Sequence, residues 1–260
     1  MTETIFRPLH WLVAVTVLLY APVSQADLSA VIARAKPSLV TVGTFKETDS
    51  PRFRLRGTGF VVGDGTQVVT NAHVLPDSKD DSAAMSVGVR VEGGSDSLQI
   101  RQASLIEVDK VHDLALFKIT GRPLTAMVLG NSDLAKEGQS VAFTGFPIGG
   151  ALGFSPVTHR GMISSITAIV LPTATAQTLN ERTIRSLRTG SFDIFQLDAI
   201  AYPGNSGGPV YDVDIGEVLG VINMAFVKAT KESALTSPSG ITYAIPSKFI
   251  SDLLKRAEVK

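Results

Sequence analysis

The chain has 260 residues, with 24 basic and 24 acidic side chains, four histidines and no cysteine. Without cysteine the protein has no disulfide, no thiolate metal site and no cysteine nucleophile. The formal net charge of zero argues against a nucleic-acid-binding protein, and the 44% hydrophobic and 18% charged residues are typical of a folded globular protein.

The first 26 residues predict an export signal rather than a part of the fold. Arg7 lies in a short polar lead, residues 11–20 are apolar except for one threonine, and residues 24–26 are small or polar, as at a cleavage site. An uncleaved membrane anchor is the alternative, but this apolar run is well short of the ~20 residues that a spanning helix needs. We therefore expect residues 1–26 to be a signal peptide that is cleaved after Ala26.

Residues 27–37 predict a short helix, which begins at Asp27 or Ser29 and is stopped by Pro37. Short β-branched or alternating runs, separated by turn signals, fill most of the remaining chain. In the first half the predicted strands are 39–45, 59–62, 67–70, 87–91, 98–108 and 114–119. In the second half they are 140–145, 161–170, 192–197, 209–213, 218–226 and 241–245.

Six strands on either side of a break at 121–138 predict an all-β fold of two six-stranded antiparallel β-barrels in tandem. We expect the first barrel at about 37–122 and the second at about 138–246. A C-terminal helix is predicted at 247–256, with Ser247 as its cap. Its apolar residues recur at helical spacing, which is typical of a helix that packs against the core.

The strongest chemical signal is the sequence Gly-Asn-Ser-Gly-Gly-Pro at residues 204–209. Glycines on both sides of Ser206 let the backbone turn tightly and leave its hydroxyl and several N–H groups unobstructed. Such an arrangement can supply a nucleophile and an oxyanion hole, although a glycine-rich hairpin turn would look the same.

The same residues match the G-x-S-x-G nucleophile elbow of α/β-hydrolases. In that fold the catalytic histidine follows the serine along the chain, whereas no histidine follows Ser206 here. The strand-rich pattern also lacks the alternating helices of that fold, so we exclude it. A metallohydrolase is poorly supported, because the chain has no H-E-x-x-H motif and its histidines are scattered.

Once the signal peptide is removed, a general base for Ser206 must come from His73, His112 or His159. Imidazole is the usual base for a hydroxyl nucleophile, since it accepts and returns a proton near neutral pH. His73 lies at the end of a β-branched strand, and His112 directly precedes Asp113 at the start of another strand. A carboxylate at that position is well placed to orient an imidazole through its second ring nitrogen.

Three motifs in this order resemble those of the trypsin-like serine proteases, and most of all those of the HtrA/Deg type. They are Thr-Asn-Ala-His-Val at 70–74, His-Asp-Leu-Ala-Leu at 112–116 and Gly-Asn-Ser-Gly-Gly-Pro at 204–209. The order histidine, aspartate, serine is that of chymotrypsin. The resemblance runs from about residue 30 to the end of the chain and implies a trypsin-like protease domain at 27–260.

The resemblance implies a role for each matching residue. Ser206 would be the nucleophile, His73 the general base and acid, and Asp113 the carboxylate that orients the imidazole. The backbone N–H groups of Gly204 and Ser206, with Asn205 between them, would form the oxyanion hole.

The resemblance also carries expectations for residues around the triad. The floor of the primary specificity pocket would be Ile200, six residues before the serine, and its walls would include Asn223 and Ala225. Without a carboxylate on the floor a cationic side chain would be desolvated without a partner, so we expect cleavage after small or medium apolar residues. His112 and His159 match no role, and we expect both to be surface or strand-edge residues.

Proteases of the HtrA/Deg type usually continue into one or two PDZ domains. We expect none here, because only a short helix follows the last predicted strand. Two long polar segments, 172–191 and 228–240, correspond in position to the loops that order the site in that family. We expect these loops to set the activity, alone or with a partner.

The sequence therefore predicts an exported serine endopeptidase that acts on protein or peptide substrates, in the periplasm or, as a second choice, outside the cell. No cofactor, metal, nucleic acid or stable membrane anchor is expected, and the oligomeric state is left open. The non-enzymatic alternative is a trypsin-fold binding or chaperone-like module whose site is inactive or only conditionally ordered.

Overall fold

The computed structural model describes residues 27–76, 84–90, 98–147, 153–169, 192–224 and 241–259. Outside these ranges lie the predicted signal peptide, the two polar segments 172–191 and 228–240, and the expected pocket residue Ala225. Within them the chain forms twelve β-strands, two α-helices and three short 3-10 helices, which confirms the predicted all-β class.

The first β-barrel consists of six strands, which are β1 (Leu39–Phe45), β2 (Phe53–Val62), β3 (Gln67–Asn71), β4 (Ala84–Arg90), β5 (Leu98–Asp109) and β6 (Leu114–Ile119). They pair in the order β1-β2-β3-β6-β5-β4, and β4 closes the barrel against β1. Its core is mostly valine, whose branched side chain packs well on a pleated sheet.

The second β-barrel also has six strands, which are β7 (Ser140–Gly145), β8 (Val157–Ile169), β9 (Phe192–Asp198), β10 (Pro209–Asp212), β11 (Val218–Asn223) and β12 (Ile241–Pro246). Their order, β7-β8-β9-β12-β11-β10, repeats that of the first barrel. Closure leaves neither sheet with an open edge. The prediction of two six-stranded antiparallel barrels is thus confirmed.

Two strands begin at least four residues earlier than predicted. A bulge between Val42 and Gly43 of β1 lets β2 continue its pairing back to Phe53, six residues before the predicted start. In the second barrel, β8 pairs with β7 from Val157, four residues before the predicted start. The added segments contain exposed or half-exposed polar residues, which hid the strand pattern in the sequence.

The N-terminal helix α1 (Leu28–Ala35) is capped by Asp27, whose side chain accepts a hydrogen bond from the N–H of Ser29 at 3.0 Å. Val31 and Ala35 bury the inner face of this helix in a core cluster that contains residues of both barrels. None of the helices among the described residues is long and apolar enough to cross a membrane.

The C-terminal helix α2 (Lys248–Glu258) follows β12 directly. The Ser247 side chain does not cap it, contrary to the prediction, because its hydroxyl donates to the carbonyl of Gly130 at 2.7 Å. Ile250 and Leu253 are fully buried in the cluster shared by the two barrels. The helix is therefore fixed to both barrels by apolar packing.

Thr58 of β2, which is fully buried, joins the first barrel to the second. Its N–H donates to the carbonyl of Ser206 at 2.8 Å, and its hydroxyl donates to the carbonyl of Gly204 at 2.7 Å. The hydroxyl also accepts from the N–H of Phe146, and the Thr58 carbonyl accepts from the hydroxyl of Thr70. The backbone and the side chain of one residue thus fix the serine-containing loop against the first barrel.

Candidate active site

His73 and Asp113 lie at the ends of neighbouring strands of the first barrel. β3 pairs with β6 so that Asn71 is opposite Leu114, and the residues just beyond this pair come together. His73 Nδ1 and Asp113 Oδ2 are 2.6 Å apart, and the His73 N–H donates to Asp113 Oδ1 at 2.8 Å. This pair of contacts orients the imidazole and leaves Nε2 for another partner.

The backbone of Asp113 is held as tightly as its side chain. Its φ of 53° is the one positive value among the described non-glycine residues, and such a conformation costs about 1–3 kcal/mol. Its carbonyl accepts from the N–H of Ala72 at 3.0 Å and from the side-chain amide of Asn71 at 3.1 Å. These bonds fix the turn that presents the carboxylate.

Asn223 connects the second barrel to the same carboxylate. Its side chain is fully buried at the end of β11, and its amide nitrogen donates to Asp113 Oδ2 at 2.7 Å. We predicted Asn223 as a wall of the specificity pocket, whereas its side chain lies against Asp113. The two residues are 110 positions apart, so only the fold brings them together. The signal in the sequence was that Asn223 is a polar residue at the end of an otherwise apolar strand.

Ser206 is 5% exposed and lies in the loop between β9 and β10. Gly204, with a φ of 102°, and Gly207, with a φ of 84°, adopt left-handed conformations that favour glycine. A Cβ on Gly207 would collide with the carbonyl of Thr58 and the hydroxyl of Thr70. The loop can therefore lie this close to the first barrel only with glycine at that position.

Gly57 marks the place where the serine-containing loop meets the histidine turn. A Cβ on Gly57 would lie 2.8 Å from the carbonyl oxygen of Ser206 and 2.9 Å from Val74, the residue after His73. Gly57 thus lies between the carbonyl of Ser206 and the residue that follows His73.

The backbone N–H groups of Gly204 and Ser206 have no hydrogen-bond acceptor within the described part of the chain. Neighbouring N–H groups are used inside the loop: Asn205 donates to the carbonyl of Tyr202 and Gly208 to that of Asn205, each at 2.9 Å. The two N–H groups on either side of Asn205 can therefore donate to a developing oxyanion.

Asn205 makes hydrogen bonds within the serine-containing loop through its backbone, whereas its side chain makes none among the described residues. The side chain is fully buried against Gly145, where an added Cβ would lie 2.7 Å from Asn205 Oδ1. Neither amide atom has a hydrogen-bond partner among the described residues. A buried amide in this state costs about 1–3 kcal/mol, so other contacts, above all those of Thr58, stabilise the loop.

Ile200, the predicted floor of the specificity pocket, is half-buried in the segment that follows β9. Thr242 of β12 fixes the backbone on both sides of it. The Thr242 hydroxyl donates to the carbonyl of Ala199 at 2.7 Å and accepts from the N–H of Ala201 at 3.0 Å. The Ile200 side chain is therefore carried by a segment that is anchored to the barrel.

His112 is not the surface or strand-edge residue that we expected. Its side chain is 19% exposed, its Nδ1 lies 2.8 Å from Asp109 Oδ2, and its ring stacks on Phe249 of α2. The guanidinium of Arg256 donates to the same carboxylate oxygen at 2.7 Å. Burial raises the pKa of Asp109, but the hydrogen bonds from His112 and Arg256 together outweigh it and hold that pKa well below its usual range.

His159, which we expected to be a surface or strand-edge residue, is half-buried near the start of β8 and packs on Phe143 in the core of the second barrel. Its ring stacks on Phe143, with the centroids 4.8 Å apart, and its Nε2 is buried without a hydrogen-bond partner among the described residues. Burial lowers the pKa of His159, because it disfavours the charged imidazolium.

The described residues do not form a metal site. His73 and His112 each pair with a single aspartate. Within the described ranges no group of three or more histidine, aspartate or glutamate side chains is placed to hold a metal ion.

Comparison with known proteins points to one family. Residues 57–221 match the model of the trypsin-like peptidase domain. Serine protease HTRA4 of Mus musculus is 28% identical over 232 residues, and a probable periplasmic serine endoprotease, DegP-like, of Chlamydia muridarum is 35% identical over 205 residues. These alignments cover 88% and 78% of this chain but 40% and 34% of those two proteins, so the chain spans less than half of their length.

A solved structure shows the same likeness in three dimensions. The HtrA-type protease AlgW, in a structure with a tripeptide, superposes with a TM-score of 0.61 at 26% sequence identity. The match covers 88% of this chain and 62% of that chain.

The half-buried imidazole of His159 should make stability depend on pH. Because its pKa is lowered in the folded state, the unfolded chain binds the proton more tightly, and the free energy of unfolding falls as the pH drops below about 6.5. His159→Phe keeps a ring against Phe143 and removes the titrating group. Urea unfolding at about pH 7 and about pH 5 should show a smaller loss of stability in this variant than in the wild type. An equal loss in both proteins would contradict the assignment.

Proposed function

Since the chain belongs to the family of trypsin-like peptidase domains, we propose that it is a serine endopeptidase of the HtrA type that hydrolyses peptide bonds through an acyl-enzyme. The observation that carries this proposal is the carboxylate of Asp113, which His73 contacts from the first barrel and Asn223 from the second. A histidine oriented in this way supports its use as the base for Ser206.

In the proposed mechanism Asp113 holds His73 in the tautomer that carries its proton on Nδ1. The lone pair on Nε2 then accepts the proton of Ser206 Oγ while this oxygen attacks the carbonyl carbon of the peptide bond. The positive charge that develops on the imidazole is stabilised by the carboxylate, which Asn223 and the His73 N–H keep in place.

The tetrahedral intermediate carries a negative oxygen, to which the N–H groups of Gly204 and Ser206 donate. Loss of one such donor typically lowers kcat by ~10²–10³-fold. When the C–N bond breaks, His73 gives its proton to the leaving amine. Water, deprotonated by the same histidine, then attacks the acyl ester. As the ester C–O bond breaks, His73 returns this proton to Ser206 Oγ, and the second product leaves with a new carboxyl group.

We propose protein or peptide substrates that are cleaved after small or medium apolar residues, with Ile200 on the pocket floor. The apolar segment at 11–20 and the likeness to a relative named as periplasmic both support export to the periplasm, with secretion as the second choice. Protein quality control is the cellular setting that we propose for this activity.

A fluorophosphonate probe tests the proposed nucleophile. We expect the purified protein to be labelled at Ser206, as peptide mapping by mass spectrometry would show, and Ser206→Ala to lose labelling. Peptide hydrolysis should fall by about 10⁶-fold, the usual effect of removing a catalytic serine. Ser104→Ala, at an exposed position on β5, is the matched control and should retain both probe labelling and peptide hydrolysis. A folded wild-type protein that is not labelled would favour the binding or chaperone-like module.

A peptide library tests the proposed specificity. We expect cleavage after Val, Ala or Leu, because the pocket floor offers an apolar side chain and no carboxylate. Ile200→Ala should raise kcat/KM for larger apolar residues by roughly 10-fold, the usual effect of a few methylenes in an apolar pocket. The control is Ile215→Ala, since Ile215 is 61% exposed at a turn of the second barrel. Dominant cleavage after Arg or Lys would contradict the proposal.

A further inference from the structure

The turn between β5 and β6, which ends in Asp113, is organised by a second carboxylate. Asp109 is 8% exposed, and its Oδ1 accepts from the N–H groups of Val111 and His112, each at 3.0 Å. Its Oδ2 accepts from His112 Nδ1 at 2.8 Å and from Arg256 at 2.7 Å. One buried carboxylate thus fixes two backbone groups of the turn and one of its side chains, and ties all of them to α2.

The ring of His112 carries this connection to the residue just before Asp113. It stacks on Phe249 of α2, with the centroids 3.8 Å apart and the planes at 19°. Its other neighbour is Phe192, the first residue of β9, which it meets edge-on at 4.6 Å. His112 is therefore held between the helix and the second barrel while its backbone belongs to the first.

Asp113 has little freedom to compensate for a movement of this turn. Its left-handed backbone lies in a small allowed region, and its carbonyl is bonded to Ala72 and Asn71. Its carboxylate is shared between His73 and Asn223. A shift of the turn must therefore lengthen one of these bonds or rotate the carboxylate.

The helix that contacts the turn is itself fixed to both barrels. Ile250 and Leu253 are fully buried in the cluster that includes Leu114 and Leu116 of β6. Phe249 and Arg256, at the start and in the last turn of α2, then reach the turn from the same rigid element.

We infer that Arg256 is a positioning residue for Asp113: through the Asp109–His112 pair it holds the β5–β6 turn where the carboxylate can orient His73. This inference rests on the proposed function of the triad. It assigns the buried Asp109–His112 pair to the support of the catalytic acid rather than to a second reactive site.

Three variants separate positioning from simple stabilisation of the fold. Arg256→Met keeps most of the apolar stem and removes the guanidinium, and Arg256→Lys restores a positive charge. Lys255→Met is the matched control, because Lys255 is on the same helix and its one ion pair among the described residues is with exposed Asp252 at 3.5 Å. Such an exposed pair contributes little to stability.

The first measurement does not depend on turnover. In ¹⁵N-histidine-labelled protein, the proton between His73 Nδ1 and Asp113 is identified by its loss in His73→Gln. We expect Arg256→Met to move this resonance upfield and to speed its exchange with water, and Lys255→Met to leave it unchanged. An unchanged resonance in a folded Arg256→Met protein would overturn the inference.

The second measurement is peptide hydrolysis. Arg256→Met should lower kcat roughly 10- to 100-fold with little change in KM, since a misplacement of about 1 Å at a catalytic group can cost 10²-fold. Arg256→Lys should recover most of this loss. A variant that is less stable to urea but keeps the wild-type kcat would show that the cluster only stabilises the fold. The wild type could fail to react with a fluorophosphonate while Arg256→Met still moves the resonance of the proton between His73 and Asp113. In that case the proposed function fails, and the role of Arg256 in positioning Asp113 stands.

Discussion

The hydrogen bonds of Thr58 hold the serine-containing loop of the second barrel against the first barrel. Its N–H and its hydroxyl both bond to carbonyl groups of that loop, at Ser206 and Gly204. Both bonds, of about 0.5–1.5 kcal/mol each, must break before the loop can move away from the first barrel. The close approach in turn requires Gly207, because any side chain there would collide with Thr58. The position of the serine is therefore set by contacts of Thr58 with the backbone of the loop.

The carboxylate of Asp113, the proposed acid of the triad, is also supported from both barrels. Asp113 belongs to the first barrel, yet Asn223 of the second donates to its carboxylate. Around the turn that precedes it, Asp109 and His112 meet Arg256 of α2. The carboxylate is thus placed by three parts of the fold that are far apart in the chain. A site assembled in this way is preorganised only when both barrels and the C-terminal helix are docked together.

Local patterns predicted the parts of the molecule that short stretches of chain determine. The alternation of apolar and polar residues and the turn residues are local features, and they predicted the twelve strands and the two barrels. The motif at 204–209 identified the serine-containing loop in the same way. The contacts of Asn223 and Thr58 could not be predicted, because their partners lie 110 and 146 positions away. Ser247 was wrongly predicted as a helix cap for the same reason, since its hydroxyl bonds to Gly130 across 117 positions.

Contacts between the barrels are proposed to place Ser206, its oxyanion donors and the imidazole in one working geometry. A crystal structure of the protein after reaction with a fluorophosphonate tests this arrangement. We expect a bond from phosphorus to Ser206 Oγ and a phosphonyl oxygen within hydrogen-bond distance of the N–H groups of Gly204 and Ser206. His73 should remain paired with Asp113. An adduct whose oxygen points away from these N–H groups, or a His73 released from Asp113, would contradict it.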